Sequence, residues 1–185
     1  MESNIQDNLI TFLRNKVYSK NIGNTNFPPL LINGEMNSEL KEALDEIDLP
    51  LFCTSASKFN DNVGLSLEDI LKYLLEKANG DLDKAKKGVV VLKDFEKWST
   101  NEDYNGVYRQ ISLIPYLRGW SIPIEYQGQK VLFDTSELTI ILFGKYKEED
   151  IQNDSLGYDS ALTESIITYL HPKTNLEEEI GRSKK

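Results

Sequence analysis

The stretch KKGVVVLKDFEKW, Lys86 to Trp98, runs an apolar strand, Val89 to Leu92, into a charged exit, Lys93-Asp94. A carboxylate pair at the end of a buried strand can hold magnesium and activate water for attack on a phosphate. Here the first position carries an ammonium, which repels a divalent cation instead of ligating it. The second, Asp94, is one methylene shorter than the glutamate that would best reach such a water. The same residues also read as an ordinary buried strand with a solvated end.

Phosphate chemistry needs a cradle too. The pattern is G-x-x-x-x-G-K followed by Ser or Thr: glycines admit backbone N–H groups to the phosphates, lysine reaches the terminal oxygens, and the hydroxyl binds magnesium. LLINGEMNSELKEAL has the strand, the glycine and the helix for it. Counted from Gly34, the second glycine becomes Glu39 and the lysine Leu40. Counted from Asn33, they become Ser38 and Glu39. Either register is expected to set a carboxylate beside the phosphate, where like charges about 4 Å apart repel by roughly 4 kcal/mol at an effective dielectric near 20. Lys41 follows closely, and helical spacing turns it toward solvent.

Other chemistries lack their residues. The one cysteine, Cys53, lies in the apolar run LPLFCT and reads as a buried structural thiol. The one histidine, His171, sits in the polar YLHPKTN and reads as a loop residue. No metal site is expected from one of each.

Several elements would have to position these residues. Ile5, Leu9, Ile10, Phe12, Leu13 and Val17 recur at helical spacing, and NIGNTNFPP follows as a loop. Leu30 to Asn33 reads as a buried strand, Ser38 as the cap of the helix ELKEALDEI, and LPLFCTS as a second strand. Leu67, Ile70, Leu71, Leu74, Leu75 and Ala78 form an apolar stripe that begins after Ser66 and stops at Asn79-Gly80. DLDKAKK is a short helix before the strand Val89 to Leu92. A helix is expected over about Val107 to Leu117, interrupted by Pro115, and WSIPIEYQGQKVLFD reads as a hairpin turning at Gln127-Gly128. Leu138 to Phe143 is a fourth buried strand, and a helix is expected around Ala161 to Leu170. Strands alternating with helices imply an α/β sandwich with a mainly parallel sheet, helices on both faces and one added hairpin.

The bulk properties agree. A chain of 185 residues, with 39% hydrophobic and 28% charged residues, suits one globular domain. A net charge of −9 argues against a general nucleic-acid role. The acidic start MESNIQDNL is no signal peptide, and no apolar run has the length of a membrane span, so the cytoplasm is the expected location.

The segment DNVGLSLEDILKYLLEKANGDLDKAKKGVVVLKDFEKW resembles the ClpX-type AAA+ unfoldase family in its order: pore-loop glycine, long helix, D-x-D-K-A, apolar strand, charged pair. LFDTSELTIILFG is similar to the strand leading to the family's first sensor, and SLGYDSAL and NLEEEIGR are shorter echoes. The resemblance runs from about Leu30 to Arg182. It implies a P-loop NTPase-like fold in a single large domain, residues 1–185, without the family's zinc-binding amino-terminal domain or its small carboxyl-terminal helical subdomain. It also puts Lys93 at the magnesium-holding aspartate and Asp94 at the catalytic glutamate. The pore grip becomes Asn62-Val63-Gly64, which has no aromatic residue, and Arg182 falls at the family's arginine finger.

The expectation is therefore a degenerate, catalytically inactive ClpX-like domain that binds protein, either another copy or a Clp-type ring, with no cofactor, nucleic acid or membrane. The alternative is a divergent ATP-dependent unfoldase that uses ATP and magnesium through Lys41 and Asp94. A structural protein that borrowed the fold is a third reading.

Overall fold

Four consecutive apolar residues leave a strand no polar face to offer solvent, so it must be covered on both sides. The computed structural model, which describes residues 5–18, 27–59 and 64–169, bears this out: Val89, Val90, Val91 and Leu92 are all 2% exposed or less. The elements are α1 (Ile5–Tyr18), β1 (Leu30–Asn33), α2 (Ser38–Glu46), β2 (Leu51–Ser55), α3 (Leu67–Lys77), α4 (Leu82–Ala85), β3 (Val89–Lys93) and α5 (Gly106–Leu117). They continue with β4 (Ser121–Tyr126), β5 (Gln129–Asp134), β6 (Thr139–Gly144), α6 (Glu148–Gln152), α7 (Ser160–Thr163) and β7 (Ile167–Tyr169).

The main sheet is parallel, in the order β2-β3-β6-β1-β7. Alternate residues of its strands feed two cores. Leu30, Ile32, Val89, Val91, Ile141 and Phe143 pack with α1 and α2, while Leu31, Val90, Leu92, Ile140 and Leu142 pack with α3, α5 and the hairpin. This is an α/β sandwich compatible with the P-loop NTPase-like class. The four expected strands all lie in the one sheet, and β4 and β5 form a separate antiparallel pair around Gln127 and Gly128, both at positive φ.

Local chemistry explains several boundaries. Asp69 accepts the Ser66 amide at 2.7 Å at the start of α3, and α3 ends where Asn79 and Gly80 turn to φ 53° and 79°. Three expectations need correction. The cap of α2 is Asn37, whose Oδ1 accepts the Leu40 amide at 2.8 Å, and Ser38 is the first helical residue. Pro115 lies inside α5 without breaking it, because the next turn closes through Arg118 N–H on Ile114 O. The expected helix from Ala161 to Leu170 is only the short α7, followed by strand β7. Ile167 and Thr168 there are β-branched, and the open edge of β1 offers them a ladder.

Candidate functional site

In an open parallel sheet, ligands settle beyond the carboxyl ends of the strands, where successive connections leave in opposite directions. Here that point lies between β1 and β6. β1 leads through α2 toward the β2 edge, whereas β6 leads through α6 and α7 to β7 on the other side. A cleft of about 380 Å³ opens there, lined by Gly34, Glu35, Lys41, Asp45, Cys53, Lys93, Asp94, Glu96 and Lys145 among others.

The sequence-marked residues divide. Gly34, Lys41, Lys93 and Asp94 line this cleft together. Gly34, at φ 122°, donates its amide to Gly144 O at 2.8 Å, which ties the loops after β1 and β6. Lys93 ends β3 exposed, on the face of Val89 and Val91. Asp94 takes the left-handed conformation, φ 55°, and accepts Ser55 Oγ at 2.5 Å. Ser38 and Glu39 do not line the cleft. Glu39 faces a groove between α1 and α2 with Asp7 and Arg14, and Ser38 Oγ bonds Glu39 at 3.1 Å. The carboxylate beside the β1 loop is Glu35 instead. Of the pore-loop trio, Gly64 lines a different groove, while Asn62 and Val63, like His171 and Arg182, lie outside the described residues.

The loop between β1 and α2 holds only Gly34, Glu35, Met36 and Asn37, and several of its polar groups are tied to the protein. Gln6 of α1, 8% exposed, donates Nε2 to Glu35 O at 3.1 Å and accepts the Asn37 amide through Oε1 at 2.8 Å. Asn37 in turn takes an N-terminal amide of α2, the type of donor that would face a phosphate. Across the cleft mouth, Lys145 Nζ pairs with Glu35 at 2.5 Å, and Glu96 accepts the Lys145 amide at 3.2 Å. The Glu35 bond holds the Lys145 ammonium above its ordinary range. Sequence reading missed Gln6, Glu35 and Lys145; the short glycine-to-helix spacing was the one available signal.

Cys53 corrects a further expectation, for it is exposed. The run LPLFCT leads into the sheet's edge strand, and within β2 only Phe52 is fully buried, meeting Phe59 and Tyr73 edge-on. Partial desolvation in the cleft pushes the Cys53 thiol up, with Lys93 and Lys41 pulling against it and Asp45 adding to it.

Three lysines and four carboxylates line the cleft, so it carries no excess positive charge for a polyphosphate. Among the described residues, no group of three or more His, Cys, Asp or Glu is placed to hold a metal ion, and no helix is long and apolar enough to cross a membrane. The residues present therefore fit magnesium nucleotide poorly.

No protein-family model matches the chain. It is similar to the ATP-dependent Clp protease ATP-binding subunit ClpX 2 of Wolinella succinogenes, 29% identical over 122 residues. That match covers 56% of this chain and 31% of that protein, a distant relationship to the ClpX type of AAA+ protein.

Proposed function

We propose that this ClpX-related chain is a protein-binding or regulatory module that neither binds nor hydrolyses ATP. The observation that supports it best is the β1–α2 loop. It is too short for the full phosphate cradle, and Gln6 and Asn37 already engage the Glu35 carbonyl and the Asn37 and Leu40 amides. A ligand drawing on the Asn37 or Leu40 amide would have to displace these hydrogen bonds. The partner this reading favours is an AAA+ surface, either a Clp-type ring or a second copy, because the sandwich persists while the residues for nucleotide chemistry do not.

Isothermal titration with ATP and magnesium tests the reading, with no saturable heat expected. The divergent-unfoldase reading draws on one observation, that Lys41 and Asp94 do meet in the same cleft. A dissociation constant near or below about 100 μM, lost in Lys41→Ala or Asp94→Ala, would establish that alternative.

A further inference from the structure

The edge of a sheet carries backbone groups that no neighbouring strand engages. β2 is such an edge, and its register with β3 says which of its groups are spare. Pro50 O accepts the Val89 amide at 2.8 Å, and a parallel ladder alternates from there, so Phe52 and Thr54 turn their backbone groups toward β3. Leu51, Cys53 and Ser55 turn theirs outward. Among the described residues, nothing bonds the amides or carbonyls of these three.

Two hollows follow the same edge. The cleft already described reaches Leu44, Asp45, Leu51 and Cys53. A groove of about 320 Å³ toward the start of β2 shares the first three and adds Tyr73, Lys77 and Lys84. The hollows therefore adjoin along β2, bounded by α2 on one face of the sheet and α3 on the other.

Charge decides what fits there. Lys41 and Lys93 stand on the α2 face, and Lys77 stands on the α3 face over the Tyr73 ring. Lys84 pairs with Asp48 at 3.4 Å, and Asp94 accepts Ser55 Oγ. With Asp45, the flanks of β2 hold four lysines to three aspartates, a positive excess in a chain that carries −9. Glu35 and Glu96 are engaged by Lys145 at the far side of the cleft. A second copy's β2 would bring the same lysines against these, and lysine beside an edge keeps like strands apart. A strand that brings carboxylates meets the opposite condition. Its side chains alternate between faces, so acids at every second position would all lie beside Lys41 and Lys93, with the remaining residues beside Tyr73.

We infer that β2 is a docking edge that takes an extended segment of a partner protein as a sixth strand of the sheet, one with carboxylates at alternate positions. This rests on the protein-binding reading above and names the form of the segment bound.

The probe is an acetylated, amidated hexapeptide alternating Glu and Val, added to the full chain. Residue-resolved amide exchange should show Leu51, Cys53 and Ser55 gaining protection, while Phe52 and Thr54, already turned to β3, change little. No binding at about 1 mM peptide, or binding with any other pattern of protection, overturns the docking edge. Equal binding of a Lys-Val peptide does the same. Cys53→Pro removes one outward amide and keeps the ladder to β3, and Lys41→Glu and Lys93→Glu each reverse a charge. Each variant should weaken binding about tenfold or more. If the proline variant misfolds, the two charge variants carry the test, and binding indifferent to both overturns the inference. Protection of the three outward amides in the free chain, by a second copy or by residues 170–185, overturns it as well, because the edge would then be taken. A chain that binds neither this peptide nor ATP would leave the proposed function standing. Peptide addition in a chain that also binds ATP would do the reverse.

Discussion

Gln6 and Asn37, on different elements, share a hydrogen bond in which the Asn37 amide donates to Gln6 Oε1 at 2.8 Å. The same side chain also holds Glu35 O, so one carboxamide fixes the loop after β1. Gln6→Ala leaves an amide and a carbonyl in a part-buried place to find water. A loss of about 1–3 kcal/mol in urea unfolding is expected, together with faster amide exchange at residues 35–37. Unchanged exchange there would show that the loop is held by other means.

Lys16 anchors the far end of α1, donating Nζ to Glu137 O at 2.7 Å and Thr139 Oγ1 at 2.8 Å. Burial outweighs the nearby Glu137 charge and lowers its pKa from 10.5 to about 8. The unfolded chain therefore binds the extra proton between those values, and stability rises as pH climbs through that window. Burial drives Tyr116, Tyr146 and Tyr158 the other way, above their ordinary 10.0, so stability falls once the unfolded chain loses those protons. Stability should peak at about pH 9 to 10, with a rising slope of at most about 1.4 kcal/mol per pH unit. Urea midpoints across that range check it, and Lys16→Met should flatten the rise.

Gly106 opens α5 against the Trp98 carbonyl, where a Cβ would collide with the backbone oxygen itself. That carbonyl also accepts Gln110 Nε2 at 2.6 Å, so it has little room to retreat. Gly106→Ala should cost about 1–3 kcal/mol or more despite its higher helix propensity, read as a lowered Tm. A neutral or stabilising result would mean that the Phe95–Trp98 turn moves freely.

Cys53 offers a reporter on the cleft. An exposed thiol with a raised pKa should react with a disulfide reagent in the native state, its rate still climbing at pH 9. Magnesium ATP should not protect it. Protection at sub-millimolar ATP would place nucleotide against Lys41 and Lys93, contrary to the proposed function.

The strongest sheet strands were legible because burial on both faces leaves a mark that needs no context, as in Val89–Leu92. The hairpin was legible for a similar local reason, a turn at Gln127-Gly128 between alternating segments. What escaped depended on neighbours distant in sequence. Cys53 and Val91 sit in equally apolar runs, yet β2 lies at the sheet edge and β3 inside it, and nothing in LPLFCT says so. Ile167 reads as helix or strand by itself, and the edge of β1 decides. Within the cleft, the convergence of Lys41, Lys93 and Asp94 followed from strand order, whereas Lys145 in the cleft and Gln6 behind its β1–α2 loop come from segments with no motif.

Strand order also bears on how the chain is made. β1 lies inside the sheet, yet its neighbours β6 and β7 come late: Leu30 pairs with Ile141 and Ile167. During synthesis, an apolar strand with two unpaired edges must wait on the ribosome's output until the last described strand has emerged. Sheets of such distant pairings fold slowly and spend time exposed to aggregation. A nascent chain stalled before Ile167 should therefore be a chaperone client, and release from it should track the emergence of Ile167–Tyr169.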